Sequence, residues 1–274
     1  MRVESRLMQV PLRTHHFEIE SSFVPDFKGF SLEKLWSHPE LKAFKAKKGR
    51  EIFILQLAGK SFFVKRYYGP ASGFLSYIVR GFRDKYGPEN EWQKAVFLKR
   101  AGIRAVEPVA FGIERRCGII KRALTVSLKM EGDRLEDLLR SKMNLEEKSS
   151  VVEKLAAFAG RFHALGLSHQ DFYLCHLFWN TVTREVALID LQRIRFHGGS
   201  SRQPRLGWIV KDLAQLDYSA SNVLSGEEYK ELKKIFVTVY ADYVPVITEP
   251  RVVDKIQGKV ARIARHDQNL KAKI

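Results

Sequence analysis

The chain has 274 residues, long enough for one large domain or for two lobes around a cleft. Its 45% hydrophobic and 11% aromatic content, with no low-complexity tract, excludes an intrinsically disordered chain. A formal net charge of +16 favours a polyanionic partner: nucleic acid, an anionic membrane face or a phosphorylated substrate.

Two cysteines, Cys117 and Cys175, are too few for a disulfide framework and lack metal-site spacing. They read as small buried hydrophobes, and a reducing cytosol is the expected compartment. Charges run throughout residues 1–20, leaving no apolar core for a signal peptide. No stretch approaches the roughly 18 apolar residues of a membrane span. A soluble or peripheral protein is expected.

In chain order, residues 1–30 read as a leader carrying one strand. From Ile52 the pattern sharpens. Ile52 to Leu57 and Ser61 to Tyr67, rich in β-branched and aromatic residues, predict two strands joined by a tight turn at Ala58-Gly59-Lys60. A Gly-rich connection from Gly69 to Gly87 follows, with a short helix over Phe74 to Val79. Pro88 suits a first helical position; Trp92, Ala95, Val96 and Lys99 then share a face, and Gly102 can end the helix in a left-handed turn. Val106 to Gly112 and Gly118 to Leu128 predict further strands.

A composition shift at Met130 to Asp133 marks a hinge, beyond which the chain turns helical. Asn144 with Glu147 is a helix-start pair, and Val151, Leu155, Phe158, Phe162 and Leu165 recur at helical spacing up to Gly166. The segment from Trp208 onward reads as mainly helical. The expected domains are therefore a leader (1–30), an N-lobe (31–130) and a helical C-lobe (131–274), in an α+β class.

The chemistry concentrates between Ser168 and Phe196. The run Ser168-His169-Gln170-Asp171-Phe172-Tyr173-Leu174-Cys175-His176 is followed fourteen residues later by Asp190, at the end of Val186-Ala187-Leu188-Ile189. Leu177 to Trp179 and Val186 to Ile189 flank a turn, and such a hairpin would bring Asp171 and His176 close to Asp190. Both acids sit at the edges of apolar stretches. Phosphoryl transfer needs such a set: one carboxylate to orient and deprotonate a hydroxyl, and a second with a further ligand to hold Mg²⁺ on phosphates. Upstream, Lys65 ends an apolar strand and could meet ATP phosphates, with Glu91 on the next helix to hold it; Glu89 competes for that place.

These residues carry a resemblance. His169-Gln170-Asp171 and Ile189-Asp190-Leu191 are similar to a kinase catalytic loop and metal-binding aspartate. The runs Ala58 to Lys65, Glu91-Trp92, His169 to His176, Ile189 to Arg193 and Lys211-Asp212-Leu213 together resemble the lipopolysaccharide core (Kdo/heptose, WaaP-type) kinases over roughly residues 50 to 220. The resemblance implies a two-lobed protein-kinase-like fold, with a small antiparallel-sheet N-lobe carrying one key helix and a larger, mainly helical C-lobe. It implies ATP and Mg²⁺ as cofactors, Asp171 as catalytic base, Asp190 and His176 as metal ligands, and Lys65 and Glu91 at the ATP phosphates. Asp212 would brace the catalytic loop.

It further implies a glycolipid acceptor, a sugar hydroxyl of the lipopolysaccharide inner core. The protein would then be cytoplasmic and peripheral on the inner membrane, against an anionic surface. Departures from the kinase pattern are Gln170 in place of arginine, Leu191-Gln192 in place of Phe-Gly, and no Gly-x-Gly-x-x-Gly loop, with Gly49 alone at the expected place. Alternatives are a kinase of a soluble sugar or aminoglycoside and a non-catalytic pseudokinase scaffold. Nucleic acid is not an expected partner, because the basic residues are scattered and no reading motif is present. Nothing in the sequence sets an oligomeric state. His169 reads as structural and His163 as a helix residue without a special role. Over Arg251 to Arg265, Val252, Ile256, Val260 and Ile263 form one apolar face, suited to packing inward while the basic face meets anionic lipid.

Overall fold

A computed structural model describes residues 13–47, 49–70, 74–79, 87–197 and 206–272. The chain divides into two compact units, residues 1–97 with 106–129 and residues 98–105 with 130–274.

The first unit is built on strands β1 (Arg13–Ile19), β2 (Lys42–Lys47), β3 (Arg50–Leu57), β4 (Lys60–Tyr68), β5 (Pro108–Arg116) and β6 (Ile119–Leu128). They form one antiparallel sheet in the order β1-β5-β6-β4-β3-β2. The predicted β3–β4 hairpin closes through Ala58 and Gly59, at φ 49° and 74°. Two successive positive φ values give the turn that matches the twist of paired strands, and glycine takes the second without steric cost. Alternation along β4 then decides which side chains face where. Phe62 and Val64 enter a core with Leu55, Val109, Leu124 and Val126. Tyr67, of opposite parity, joins Trp92, Phe111, Ile113 and Ile120 in a second cluster, under α2 (Phe74–Val79) and α3 (Pro88–Arg100).

Residues 13–30 depart from the expected leader. β1 pairs along its length with β5, and Phe23 and Phe27 are buried in the first core with Leu32 and Leu35 of α1 (Leu32–Trp36). Phe27 meets Phe62 edge-on, ring centroids 5.1 Å apart. These apolar residues are too irregularly spaced to show a period, yet together they close one face of the sheet. Residues 1–12, Lys48 beside Gly49, and 71–73 and 80–86 of the Gly-rich connection lie outside the described residues. Cys117, expected to be buried, is exposed in the β5–β6 turn, because its φ of 50° turns the chain there rather than packing it; Cys175 is half-buried.

The second unit comprises β7 (Asp133–Arg134), α4 (Leu135–Arg140), α5 (Leu145–Ala164), β8 (Leu167–Ser168), β9 (Leu177–Asn180), β10 (Glu185–Leu188), β11 (Arg195–Phe196), α6 (Leu206–Ser221), α7 (Gly226–Ala241) and α8 (Pro250–Lys271). α5 opens on a full capping box in which Asn144 and Glu147 satisfy each other's backbone N–H groups. Val151, Leu155, Phe158 and Phe162 are buried as their spacing predicts, whereas Leu165 is 48% exposed, because the helix ends at Ala164 and the face is not continued. β9 and β10 pair as the predicted hairpin, Leu177 opposite Leu188. α8 packs along α6, burying Val252 and Ile256 while Val260 and Ile263 stay half-exposed. No helix among the described residues is long and apolar enough to cross a membrane.

Candidate active site

In the first unit, Lys65 shares the parity of Tyr67 on β4 and so points to the α3 side. There its Nζ lies 2.5 Å from Glu91 Oε1, and the Tyr67 hydroxyl donates to Glu91 Oε2 at 2.8 Å. Glu91 is buried, its side chain 8% exposed, so its charge is held by partners rather than by water. Burial, and then the neighbouring Glu91 carboxylate, push the Tyr67 phenol up. Glu89 does not compete for Lys65; it pairs with Arg115 at 2.7 Å. Two residues of helix separate the glutamates by about half a turn, which sends them to different partners.

In the second unit, the segment between β8 and the 3-10 turn Leu174–His176 has no regular structure of its own. Its backbone groups go to a row of side chains on α6. Asp212 Oδ2 accepts from the His169 N–H at 2.6 Å and Oδ1 from the Gln170 N–H at 2.8 Å. Gln215 Oε1 accepts from the Phe172 N–H at 3.0 Å, and its Nε2 donates to the Gln170 carbonyl at 2.9 Å. Ser219 Oγ accepts from the Leu174 N–H at 3.1 Å. Positions 212, 215 and 219 lie on one helix face, so a single helix straps the whole loop. The strap also holds Gln170 at φ 70°, a left-handed conformation that a non-glycine residue keeps only under constraint.

Asp212 is itself braced from behind. His163 of α5, expected to have no role, donates from Nε2 to Asp212 Oδ2 at 3.3 Å and meets the Tyr240 hydroxyl through Nδ1 at 2.7 Å. All three side chains are buried, in a chain running from α7 through α5 to α6. His169 is structural, as read from the sequence. Its Nε2 reaches the carbonyls of Ile189 and Asp190 at 3.1 and 2.9 Å, tying the two acid-bearing segments together. Burial lowers its pKa, partly opposed by Asp212.

With its backbone fixed, the loop presents Asp171 half-buried. Arg193 lies on the Asp171 carboxylate, Nε to Oδ2 at 3.0 Å and Nη1 to Oδ1 at 3.3 Å. Burial lowers the pKa of Lys211, partly opposed by Asp171 and Asp212. Asp190 follows β10 in the left-handed region, φ 57°, and its carboxylate has no hydrogen-bond partner among the described residues. His176 gives Nδ1 to the Asp171 carbonyl at 2.7 Å, and its own carbonyl accepts from the Ile189 N–H at 3.0 Å. Asp171, His176, Asp190 and Asp212 are thus gathered by one network, and Lys65 with Glu91 by another.

The ligand atoms of Asp171, His176 and Asp190 do not form a trio within 4.8 Å of one another. The trio that does among the described residues, His15 with Glu33 and Glu114, lies in the first unit, its two carboxylates bound by Arg122 and one also by Arg13. Asp190 fits a hard cation: an oxygen donor, half-buried and without a partner. His176 retains only Nε2, a nitrogen, which Mg²⁺ takes less readily than oxygen.

A model of the lipopolysaccharide kinase (Kdo/WaaP) family matches residues 36–236. The chain belongs to the lipopolysaccharide kinase (Kdo/WaaP) family. It is similar to the lipopolysaccharide core heptose(I) kinase WaaP of Escherichia coli, 26% identical over 198 residues that span 66% of this chain and 72% of that protein. The Pseudomonas aeruginosa protein of the same name is 25% identical over 195 residues, 66% of this chain and 71% of its own. Among solved structures, WaaP in complex with acyl carrier protein superposes with a TM-score of 0.67 at 20% identity, covering 90% of this chain and 98% of that one. That match gives the chain the α+β fold of WaaP, with an antiparallel sheet in the first unit and mainly helices in the second. As a member of this family the chain is a phosphotransferase.

For a kinase of this family the reading of the sequence missed three contributors. Gln215 and Ser219 were legible as polar residues at i+3 and i+7 from Asp212 on an otherwise apolar helix face. Arg193 had no such signal, since only the 3-10 turn Leu191–Arg193 folds it back onto Asp171.

Proposed function

We propose that this kinase transfers the γ-phosphate of ATP to a hydroxyl of a heptose in the lipopolysaccharide inner core, with Kdo as the second acceptor to test. Heptose is the first acceptor to test because the relatives named above are heptose(I) kinases, which supports the reading without deciding between the two sugars. The observation that carries the reading is the strapped loop, in which Asp212, Gln215 and Ser219 satisfy the backbone and leave the Asp171 carboxylate to act.

Asp171 accepts the proton of the attacking hydroxyl. Arg193 and Lys211 set positive charge beside it, where the transferred phosphoryl group gathers negative charge. Lys65, fixed by Glu91 and Tyr67, meets the nucleotide phosphates. Asp190, with His176 through Nε2, would hold Mg²⁺, which neutralises phosphate charge when bound. The net charge of +16 suits a polyanionic glycolipid and a place on the cytoplasmic face of the inner membrane. An acyl carrier protein is a proposed partner as well, since the WaaP neighbour was solved with one. An acyl chain would suit the apolar cavity of about 300 Å³ in the second unit, lined by Leu155, Leu213, Leu216, Leu232, Phe236 and Ile256.

The test is phosphate transfer by the purified chain, with ATP and Mg²⁺, to dephosphorylated core lipopolysaccharide and to a panel of soluble sugars. Phosphate on the lipopolysaccharide, reduced by about 10³-fold or more in Asp171→Ala, is the expected result. Transfer to soluble sugars alone would discard the glycolipid acceptor, and full activity in Asp171→Ala would remove that residue from the mechanism.

A further inference from the structure

The sequence carries no Gly-x-Gly-x-x-Gly loop, and the β2–β3 hairpin before the Lys65 strand is basic instead: Lys45-Ala46-Lys47-Lys48-Gly49-Arg50. In protein kinases a glycine-rich loop covers the nucleotide phosphates. Here the ladder runs on to Lys47 opposite Arg50, so two residues, not a glycine-rich span, make the turn. The turn is also tied down, because the Tyr68 N–H donates to the Gly49 carbonyl at 3.0 Å.

Register decides where those cations point. Lys45 lies opposite Ile52 and Ile52 opposite Lys65, while Lys47 lies opposite Arg50 and Arg50 opposite Tyr67. Directly paired residues share a face of the sheet, so Lys45, Lys47 and Arg50 emerge on the side of Lys65 and Tyr67. Two strand spacings, about 10 Å, separate the backbones of Lys45 and Lys65, a gap that two long side chains and one polyphosphate can bridge. The acid of the hairpin, Glu51, has the opposite parity and accepts from the Tyr68 hydroxyl on the other face. Lys45 and Lys47 are exposed and Arg50 half-buried, and none of the three has a carboxylate partner among the described residues. Elsewhere in this unit Arg13, Lys60, Arg115 and Arg122 each meet an acid. Arg50 is close enough to the Tyr67 phenol to oppose the rise in its pKa, which puts it beside the Lys65–Glu91–Tyr67 network. Beyond Lys65 the same face turns apolar: Phe63 is half-buried, and Phe44, 59% exposed, meets it with ring centroids 5.4 Å apart. Cations at one end and open aromatic surface at the other suit a nucleotide better than a lone phosphate.

We propose that Lys45, Lys47 and Arg50 grip the polyphosphate of ATP with their side chains, taking beside Lys65 the part that a glycine-rich loop plays through its backbone amides. The inference rests on the reading that Lys65 meets the nucleotide phosphates, and it names the residues that complete that site. Exposed side-chain charge is screened by salt, so nucleotide affinity in this enzyme falls as ionic strength rises. It also grows with the number of phosphates bound.

The test is calorimetric binding of the non-hydrolysable ATP analogue AMP-PNP, with Mg²⁺, to the full chain at about 50 and about 300 mM salt, with adenosine alongside. Lys45→Gln/Lys47→Gln should weaken AMP-PNP binding by about tenfold, and adding Arg50→Gln should bring the loss to about 10²-fold, with adenosine affinity unchanged. The salt dependence should flatten in step. Arg50 is half-buried, so the double variant, at two exposed positions, decides the matter if the triple variant loses its fold. Unchanged AMP-PNP affinity in the variants would overturn the proposal, and a raised KM for core lipopolysaccharide in that case would assign the cations to the acceptor. An equal loss of adenosine affinity would overturn it too, since the effect would then not lie at the phosphates. Lys65→Ala separates this proposal from the reading beneath it. AMP-PNP affinity lost in Lys65→Ala but untouched in the hairpin variants would reject the grip and leave the nucleotide site intact. Affinity lost in the hairpin variants but untouched in Lys65→Ala would remove Lys65 from the site and leave the grip standing. No AMP-PNP binding by the wild type would overturn both.

Discussion

Lys65 and Asp171 occupy opposite kinds of backbone. Lys65 stands in the middle of a strand with partners on both sides, Ile52 and Thr125, so its direction follows from the pleat and one glutamate completes its setting. Asp171 stands on a segment without a ladder or helical bonds, and its direction follows from what α6 supplies through Asp212, Gln215 and Ser219. A strand can present a charged group with little help. An irregular loop needs its backbone satisfied residue by residue, because each buried N–H left alone costs about 1–3 kcal/mol.

The sharpest way to break that comparison is Asp212→Asn. An asparagine can accept from one of the two N–H groups but turns its own NH₂ on the other, while His163 loses a carboxylate. Transfer should fall by about 10²-fold or more, and a urea titration should show a loss of about 2–4 kcal/mol. A variant that keeps wild-type stability would show that the loop holds itself. Glu91→Gln should be milder. Tyr67 keeps an oxygen partner and Lys65, its side chain 20% exposed, can turn to water, so kcat/KM for ATP should drop by about tenfold with stability changed by about 1 kcal/mol. An effect as large as that of Asp212→Asn would erase the distinction between the two regions.

His176→Asn separates two jobs at one residue. Should Nε2 hold a cation, activity will be lowered by about tenfold and its Mg²⁺ requirement shifted. Should the ring serve only the Asp171 carbonyl, through the 2.7 Å bond from Nδ1, activity will drop with the Mg²⁺ dependence unmoved. The smallest effect expected is on pH. Burial lowers the pKa of His169, whereas in the unfolded chain its imidazole takes up a proton near about pH 6.5. Below that pH the unfolded state binds more protons, so the contribution of His169 is complete above it and fades as the pH falls toward the folded value. Urea midpoints compared at about pH 7.5 and 5.5 should differ less in His169→Gln than in wild type.

Local pattern carried far in the first unit and on α5. β-branched runs around Ala58-Gly59 gave the β3–β4 hairpin, and Asn144 with Glu147 gave the start of α5. The apolar runs around Asn180 to Glu185 gave β9 and β10. Pattern failed where a residue's role depends on something distant in sequence. Phe23 and Phe27 show no period, yet they cover Phe62. Nothing about His163 distinguishes it from any other helical histidine until Asp212 and Tyr240 arrive from two other helices.

What the sequence determined by itself was the chemistry and its local carriers: a lysine on a strand, two aspartates at the edges of apolar runs, and a family pattern that orders them. Spacing along one chain is enough for that, because hairpins, caps and alternation act within a few residues. What only the tertiary structure decided was the pairing. Glu91 rather than Glu89 meets Lys65, Arg193 lies on Asp171, and α2 rather than α8 keeps its apolar face in the open. Each of those turns on the direction of a side chain toward an element far away in sequence, which packing sets and local propensity does not.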